Sequence, residues 1–533
     1  MRTFLTIICC SLLISVTKAQ MPNLIPQPVQ LTAGSPQNNF ALDQNTVVLL
    51  SDMALSNSVT YLRNFLQKHY QLNLQVTADA QEEIPPTTIS LIRTASPMPH
   101  ADEYQLRVQR DKITITASTD EGIFYGIQTL VQLLPVEPEA SLTIPAVDIT
   151  DYPRFGYRGM HLDVSRHFFD TAFVKKYIDY LALHKMNYFH WHLTDDHGWR
   201  IEIKKHPKLT EIGAWRDGTI IGLYPGTGND RKKYGGYYTQ EEIREVVKYA
   251  SERYITIIPE IEMPAHSMAV LAAYPNLSTT PNQPKKVAQT WGIFNKFNNV
   301  LLPSEETFSV LEDILSEVIE LFPSPYIHIG GDEAAKIWWK QSAFTQRLIR
   351  EKGLKDEHGV QSYFIHRIEE FLNQRQKTII GWDEILEGGL APNAVVMSWR
   401  GEAGGIAAAK QKHKVIMTPE NNMYFNHRQF LKDDSLTATR YVPLEVVYQY
   451  EPVSATLSES EQQYIWGAQG NLWSEYIASP EKAEYMLFPR LDALSEVLWS
   501  PKEKRNYADF KRRLQTQFKR HDLLRINYPK RYL

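Results

Sequence analysis

The chain has 533 residues, 43% of them hydrophobic, enough length and apolar content for more than one well-buried domain. A formal net charge of −4 supplies neither the basic face of a nucleic-acid binder nor an acidic tail. Both cysteines, Cys9 and Cys10, fall together near the N-terminus.

The first residues have the anatomy of a secretory signal. Arg2 precedes an apolar run from Phe4 to Val16, and Thr17-Lys18-Ala19 puts small residues at −3 and −1 of a cut after Ala19. A buried N-terminal helix is the alternative, the run being too short for a comfortable membrane span. Ile8 before Cys9 argues against lipoprotein processing. A chain cut at Ala19 would have no disulfide and no thiol nucleophile, which points to export to a bacterial periplasm or cell surface. No later stretch reaches membrane-spanning length, so the mature protein is expected to be soluble. The sequence leaves the oligomeric state open.

Residues 20–150 read as a small α+β domain. Its predicted strands are Thr46–Leu50, Thr87–Leu91, Tyr104–Val108 and Lys112–Thr116. Its predicted helices are Ser56–His69 and Glu121–Leu134, the second capped by Thr119 or Asp120. Asp151-Tyr152-Pro153-Arg154 marks a boundary. From 151 to 500 strands and helices alternate. The strands are Gly159–Val164, Asn187–Leu193, Ile255–Pro259, Tyr326–Gly330, Thr378–Trp382, Ala394–Trp399, Lys414–Thr418 and Trp466–Leu472. The helices between them include Thr171–His184, Gln240–Glu252, Glu305–Leu321, Gln361–Gln374 and Gly404–Gln411. Eight such units predict an α/β fold, a (β/α)₈ TIM barrel. An open doubly wound sheet is the alternative, but no glycine-rich phosphate loop follows the first strand. Residues 501–533 carry one basic helix, expected to pack on the barrel.

In such a barrel, polar residues just past the strand ends are the natural site candidates. The fourth strand runs into His328-Ile329-Gly330-Gly331-Asp332-Glu333. Two glycines let the chain turn sharply, so the adjacent carboxylates need not point apart. Held close, two acids should not ionise independently, and one pKa is expected to rise. Taken alone, the pair serves equally well as a helix N-cap. Trp382, Trp399 and Trp473 end strands five, six and eight, and three indoles at one mouth favour a sugar-stacking pocket over isolated core residues. Arg166, Asp195, His266, Tyr424 and Glu475 supply hydrogen-bonding groups around them.

Asp332-Glu333 and its flank resemble the signature of the family 20 glycoside hydrolases, the β-N-acetylhexosaminidases. Further matches follow in order: Leu162 to Phe168, His190 to Arg200, Pro259 to His266, Gly381 to Glu384 and Asn471 to Glu475. Ile25-Pro26-Gln27-Pro28 resembles the start of the family's N-terminal domain, so the likeness spans the mature chain. The resemblance implies an exo-acting, retaining enzyme that removes terminal N-acetylglucosamine or N-acetylgalactosamine from a glycan, without cofactor or metal. In this family the substrate's own acetamido oxygen attacks the anomeric carbon, giving an oxazolinium. Glu333 would be the general acid and base, Asp332 would orient the acetamide, and Tyr424 would bind its carbonyl. Trp382, Trp399 and Trp473 would wall the pocket, and Arg166 and Glu475 would fix O3 and O4. Asp195, His266 and His328 would be supporting groups.

Glu262 stands where many members have Asp. At the rim, Asn426 stands where the family commonly has an Asp near O4 and O6, with His427 and Arg428 following. An Asp there would repel a 6-sulfate by about 1–4 kcal/mol; Asn removes the repulsion, and a cationic neighbour would add attraction. The lysosomal family subunit that accepts 6-sulfated substrates likewise has Asn followed by a basic residue. Tolerance of 6-sulfated N-acetylglucosamine is therefore expected, with neutral drift as the alternative.

Two rival functions remain at the level of sequence. His190, His192, His266, His328 and Asp332 could form a divalent-metal hydrolase site, although histidines two apart on a strand also pack together in cores. A non-catalytic glycan-binding barrel would keep the tryptophans but has no need of the acid.

Overall fold

The period-two runs pair into two principal sheets in a computed structural model that describes residues 21–78, 87–137, 142–433 and 435–533. The expected signal segment and both cysteines lie outside the described residues. Among the described residues no helix is long and apolar enough to cross a membrane.

The N-terminal sheet has seven strands, in the order Gln30–Ala33, Val147–Asp151, Tyr104–Val108, Lys112–Ala117, Thr88–Arg93, Val47–Leu50 and Gln75–Thr77. Helix Asp120–Leu133 packs on it, and helix Ser56–Tyr70 packs on that helix. Thr119 caps the second, its hydroxyl accepting from the Gly122 N–H. Every residue of that helix from Gly122 to Leu133 is buried, because the barrel covers what the sheet does not. Asp151 fastens the two parts. Its carboxylate accepts from the Val29 N–H, the Tyr104 hydroxyl, the Trp499 indole and the Lys185 ammonium.

The second sheet closes on itself as a barrel of eight strands: β1 (Tyr157–Asp163), β2 (Tyr188–His192), β3 (Thr256–Met263), β4 (Tyr326–Gly330), β5 (Thr378–Trp382), β6 (Val395–Ser398), β7 (Val415–Met417) and β8 (Ile465–Leu472). All neighbours are parallel, and β8 pairs with β1 to complete the ring. This is the expected (β/α)₈ architecture, and the open doubly wound alternative falls. The surrounding helices begin where the side chains dictate. Asp170 caps Thr171–Leu183, a Thr239/Glu242 capping box opens Gln240–Ser251, and Ser304 caps Glu305–Leu321.

Several elements differ from the sequence expectation. Strand β3 does not stop at Pro259 but runs on to Met263, with a register shift against β4 between Glu260 and Met263. Proline removes only its own N–H, and the bulge absorbs the mismatch. Helix Glu357–Asn373 begins four residues before the predicted Gln361, where Asp356 accepts from the His358 and Gly359 N–H groups. Helix Arg490–Trp499 has no amphipathic signature because all ten residues are buried. Its charges are internally paired: Asp492 with His184, and Glu496 with Arg513. The C-terminal helix Tyr507–Leu523 touches both parts of the chain, Arg513 reaching Glu496 and Arg520 reaching the Gln132 carbonyl.

Candidate active site

The barrel interior is polar where β1–β4 face one another, and one carboxylate organises it. Glu260, wholly buried on β3, accepts from the Trp382 indole N–H at 2.8 Å and lies 3.0 Å from His190 Nε2 and 2.9 Å from His328 Nδ1. His192 Nδ1 makes a further, very short contact to it. On the other side of that ring, His192 Nε2 is 2.8 Å from Asp195, which is 2.8 Å from Arg166. Burial opposes charge on His192, but Glu260 and Asp195 outweigh it and hold the imidazole up to about 10. Burial and the neighbouring imidazoles push His161 well below its usual value and His190 down to about 4. His192 is thus held charged between two carboxylates, with the neutral rings of His161 and His190 beside it.

At the C-terminal end of β4 the chain turns out through Gly330 (φ +68°) and Gly331 (φ +90°), and Glu333 itself sits at φ +45°. Glycine is needed at 330 for a second reason: a Cβ there would lie 1.7 Å from Glu262 Oε2. The turn presents Asp332 and Glu333 side by side, since His266 Nε2 is 3.5 Å from Asp332 Oδ2 and 3.4 Å from Glu333 Oε2. Glu333 keeps 43% of its side-chain surface open, whereas Asp332 keeps 13%. His266 Nδ1 in turn contacts Asp196 at 3.1 Å and Asp195 at 3.3 Å. Burial works against the His266 charge, but those carboxylates and Asp332 raise its pKa well above the ordinary histidine value.

The expected coupling within the acid pair is not what emerges. Burial pushes Glu333 up, but the His266 hydrogen bond and charge outweigh it and hold the carboxyl below its usual range. The raised acids are instead the flanking ones. Burial and the Asp332 charge push Glu262 well above the carboxylate range, and burial, Asp332 and Asp383 push Glu384 up to about 9. The reason is the imidazolium: His266 sits against the pair, so repulsion around Asp332 is relieved by protonating its more buried neighbours.

The three indoles and Tyr424 lie together. The Trp382 and Trp473 rings are 5.7 Å apart, Tyr424 lies 6.1 Å from Trp473, and Trp399 stacks at 6.2 Å on Tyr424. The Trp399 N–H donates to Glu384, as that of Trp382 does to Glu260, so two walls are oriented from behind. Arg166 crosses the Trp473 face at 5.0 Å, held by Asp195 and Asp163. Glu475 is close enough for the Arg166 charge to oppose the rise that burial imposes on its carboxyl; its Oε2 is buried without a partner. Asp332 Oδ1 is likewise buried and unpartnered.

His328 turns into the barrel, 4.8 Å from Trp382 and 4.4 Å from His190, so its supporting place is behind the indole wall. At the rim, Asn426 presents a buried, unpartnered Oδ1, but neither neighbour turns a cation toward it. Burial and the charges of Arg490 and Arg440 push His427 down to about 3, and the Arg428 guanidinium is spent on the carbonyls of Thr439 and Leu431.

The residues of the metal reading are divided between two places, His190, His192 and His328 around Glu260 and His266 beside Asp332. Ligand-type atoms of His161, His190 and Glu260 lie within 4.8 Å of one another, as do those of Asp195, Asp196 and His266. In both groups the carboxylates already serve protein donors. Glu260, Asp196 and Glu384 were not singled out as site residues from sequence. The usable signal was Glu260 and Glu262, acids two apart in an otherwise apolar strand.

Known proteins share this architecture. The model of glycosyl hydrolase family 20, catalytic domain, matches residues 155–502, and that of glycosyl hydrolase family 20, domain 2, matches residues 21–152. A β-hexosaminidase of Porphyromonas gingivalis is 44% identical over 99% of this chain and 68% of its own length. One of Vibrio furnissii is 36% identical over 90% and 77%. Among solved structures, the exo-β-N-acetylglucosaminidase of Vibrio harveyi, in complex with N-acetylglucosamine, aligns with a TM-score of 0.86 at 33% identity, covering 97% of this chain and 80% of that one.

Proposed function

The chain belongs to glycosyl hydrolase family 20 and is a β-N-acetylhexosaminidase, hydrolysing terminal N-acetylhexosamine; we propose that it does so with retention, the substrate's acetamide acting as nucleophile. The observation that carries this is the position of Asp332. It adjoins the exposed Glu333, and its charge is felt by both Tyr424 and Glu384 at the indole-walled pocket. A carboxylate set beside such a pocket suits the nitrogen of a folded-back acetamide better than an anomeric carbon. Glu333 protonates the leaving oxygen and then takes a proton from water as the oxazolinium opens. Tyr424 binds the acetamide carbonyl, Trp382, Trp399 and Trp473 enclose the methyl and sugar face, and Arg166 with Glu475 holds O3 and O4.

Proton NMR of the first product anomer tests retention, and an aryl glucosaminide lacking the acetyl group tests anchimeric help. The expected results are β-anomer first, and loss of at least about a thousandfold in kcat/KM without the acetyl group, a floor set well below the effective molarities of about 10⁵–10⁸ M that well-oriented intramolecular groups reach. An α-anomer first would overturn retention, and equal turnover of the deacetylated substrate would overturn substrate assistance.

Tolerance of a 6-sulfate rests on Asn426, now that burial holds His427 uncharged and the Arg428 donors are turned to the carbonyls of Thr439 and Leu431. A 6-sulfated aryl N-acetylglucosaminide should retain kcat/KM within about tenfold of the unsulfated one, an Asp at this position costing about 1–4 kcal/mol. A larger loss defeats the idea. Export through the N-terminal segment, to a bacterial periplasm or surface, belongs to the same proposal; fractionation of the native host checks it.

A further inference from the structure

Three helices meet around a second convergence of ligand-type groups, at the end of the barrel away from the acid pair. His184 closes helix Thr171–Leu183 just before β2 begins, Asp492 lies in helix Arg490–Trp499, and His521 lies in helix Tyr507–Leu523. All three are buried, at 2%, 0% and 1% exposure. His184 Nε2 is 2.9 Å from Asp492 Oδ1, and His521 Nε2 is 3.4 Å from the same oxygen. One ligand-type atom of each residue lies within 4.8 Å of the other two.

The rings' own protons do not account for this arrangement. His184 Nδ1 is 2.7 Å from the Tyr180 carbonyl, which can only accept, so Nδ1 carries the proton and Nε2 of the neutral ring offers a lone pair. The Gln517 amide N–H, 3.4 Å from His521 Nε2, meets a lone pair there too. Two imidazole lone pairs thus face one buried carboxylate oxygen, acceptor against acceptor. Asp492 Oδ2 is buried as well and has no protein partner. A proton on His184 answers one of these contacts and leaves His521 and Asp492 Oδ2 unserved. Arg520 does not answer them either, its guanidinium being taken by Gln517 Oε1 and the carbonyls of Asn23 and Gln132.

We propose that this cluster is a structural divalent-metal site, suited to Zn²⁺, with His184 Nε2, His521 Nε2 and Asp492 as its ligands. Zinc takes imidazole nitrogen and carboxylate oxygen at about 2.0–2.2 Å, which sets tetrahedral neighbours about 3.3 Å apart. The separations of 2.9 and 3.4 Å bracket that value. Asp492 Oδ2 takes the fourth position, and the Tyr180 carbonyl orients the His184 ring from behind, as outer partners of metal-bound histidines do. A cavity of about 20 Å³ that His184 and His521 help to line shares Phe65, Leu183, Leu524 and Ile526 with a larger hollow of about 280 Å³, the way in for an ion. The ion clips the C-terminal helix and the buried helix to the first barrel helix, and takes no part in hydrolysis.

The test uses the full chain without an affinity tag, incubated with excess zinc sulfate and desalted. Zinc is counted by plasma mass spectrometry, and melting is followed by calorimetry with and without chelator. The expected result is about one zinc per chain, with a melting temperature about 3–6 °C above that of the chelated protein. His521→Leu and His184→Gln should each lose that zinc and the response to chelator, while still turning over an aryl glycoside as the sign of a folded chain. Fewer than about 0.1 zinc per chain in the unaltered protein overturns the proposal. So does zinc retained in both variants, or zinc whose removal leaves the melting temperature unmoved.

Discussion

Replacing Glu260 with Gln changes one buried atom's chemistry and tests how the indole pocket is held. The Glu260 carboxylate accepts from the Trp382 indole, faces ring nitrogens of His190, His192 and His328, and is fully buried. In Glu260→Gln one oxygen becomes an NH₂, so a donor now faces a donor at Trp382 or His192, at about 1–3 kcal/mol. The His192 cation also loses one of its two carboxylates. Breaking a buried pair outright costs about 3–5 kcal/mol, and less here because Asp195 remains at 2.8 Å. Together these predict about 3–4 kcal/mol of destabilisation, a substantial part of a typical folding free energy. The fold of His192 raises its pKa from 6.5 to about 10, so its contribution is complete below about 6.5 and lost as pH rises through 10. The gap between wild type and Glu260→Gln should therefore be widest near pH 6 and narrow toward pH 10. Urea unfolding followed by tryptophan fluorescence measures it, and a double-mutant cycle with Trp382→Phe localises it, with about 1 kcal/mol of coupling expected. A loss below about 1 kcal/mol, or strict additivity with Trp382→Phe, would refute the reasoning.

Other consequences follow from the same geometry. Glu333→Gln should lower kcat by about 10²–10⁴ on substrates with poor leaving groups and much less on activated aryl glycosides; equal losses on both would show that Glu333 is not the proton donor. Because His266 holds Glu333 below the usual carboxylate range, the acid form is lost early as pH rises, and kcat/KM should decline from an acidic optimum. His266→Asn removes the cation, so the alkaline limb should move to higher pH; an unmoved limb means that His266 does not set it. Gly330→Ala should fail to accumulate as folded protein, its Cβ meeting Glu262 Oε2 at a left-handed φ. Glu262→Ala in the same chain should restore part of the yield, and no recovery would assign the defect to backbone strain alone.

Much was legible in sequence because it was local. The eight-strand alternation, the Thr119 helix cap, the Gly-Gly turn before Asp332 and the indoles at three strand ends are each written within a few residues. What was not legible depends on who stands opposite. Helix Arg490–Trp499 carries no periodic stripe because every face is covered and its charges find partners from distant segments. His328 and His266 look interchangeable as motif histidines, yet one faces the barrel interior and the other the acid pair.

The Asp332-Glu333 adjacency and its glycines belong to the sequence alone, since two neighbouring acids after Gly-Gly can share a site on any barrel that closes. Which acid holds a proton does not. A pKa reports the whole field at one point, and only the tertiary structure sets His266 against Glu333 and buries Glu262 and Glu384 beside Asp332. The same holds at the rim: the sequence supplies Asn426, His427 and Arg428, but burial empties the histidine of charge and two backbone carbonyls take the arginine.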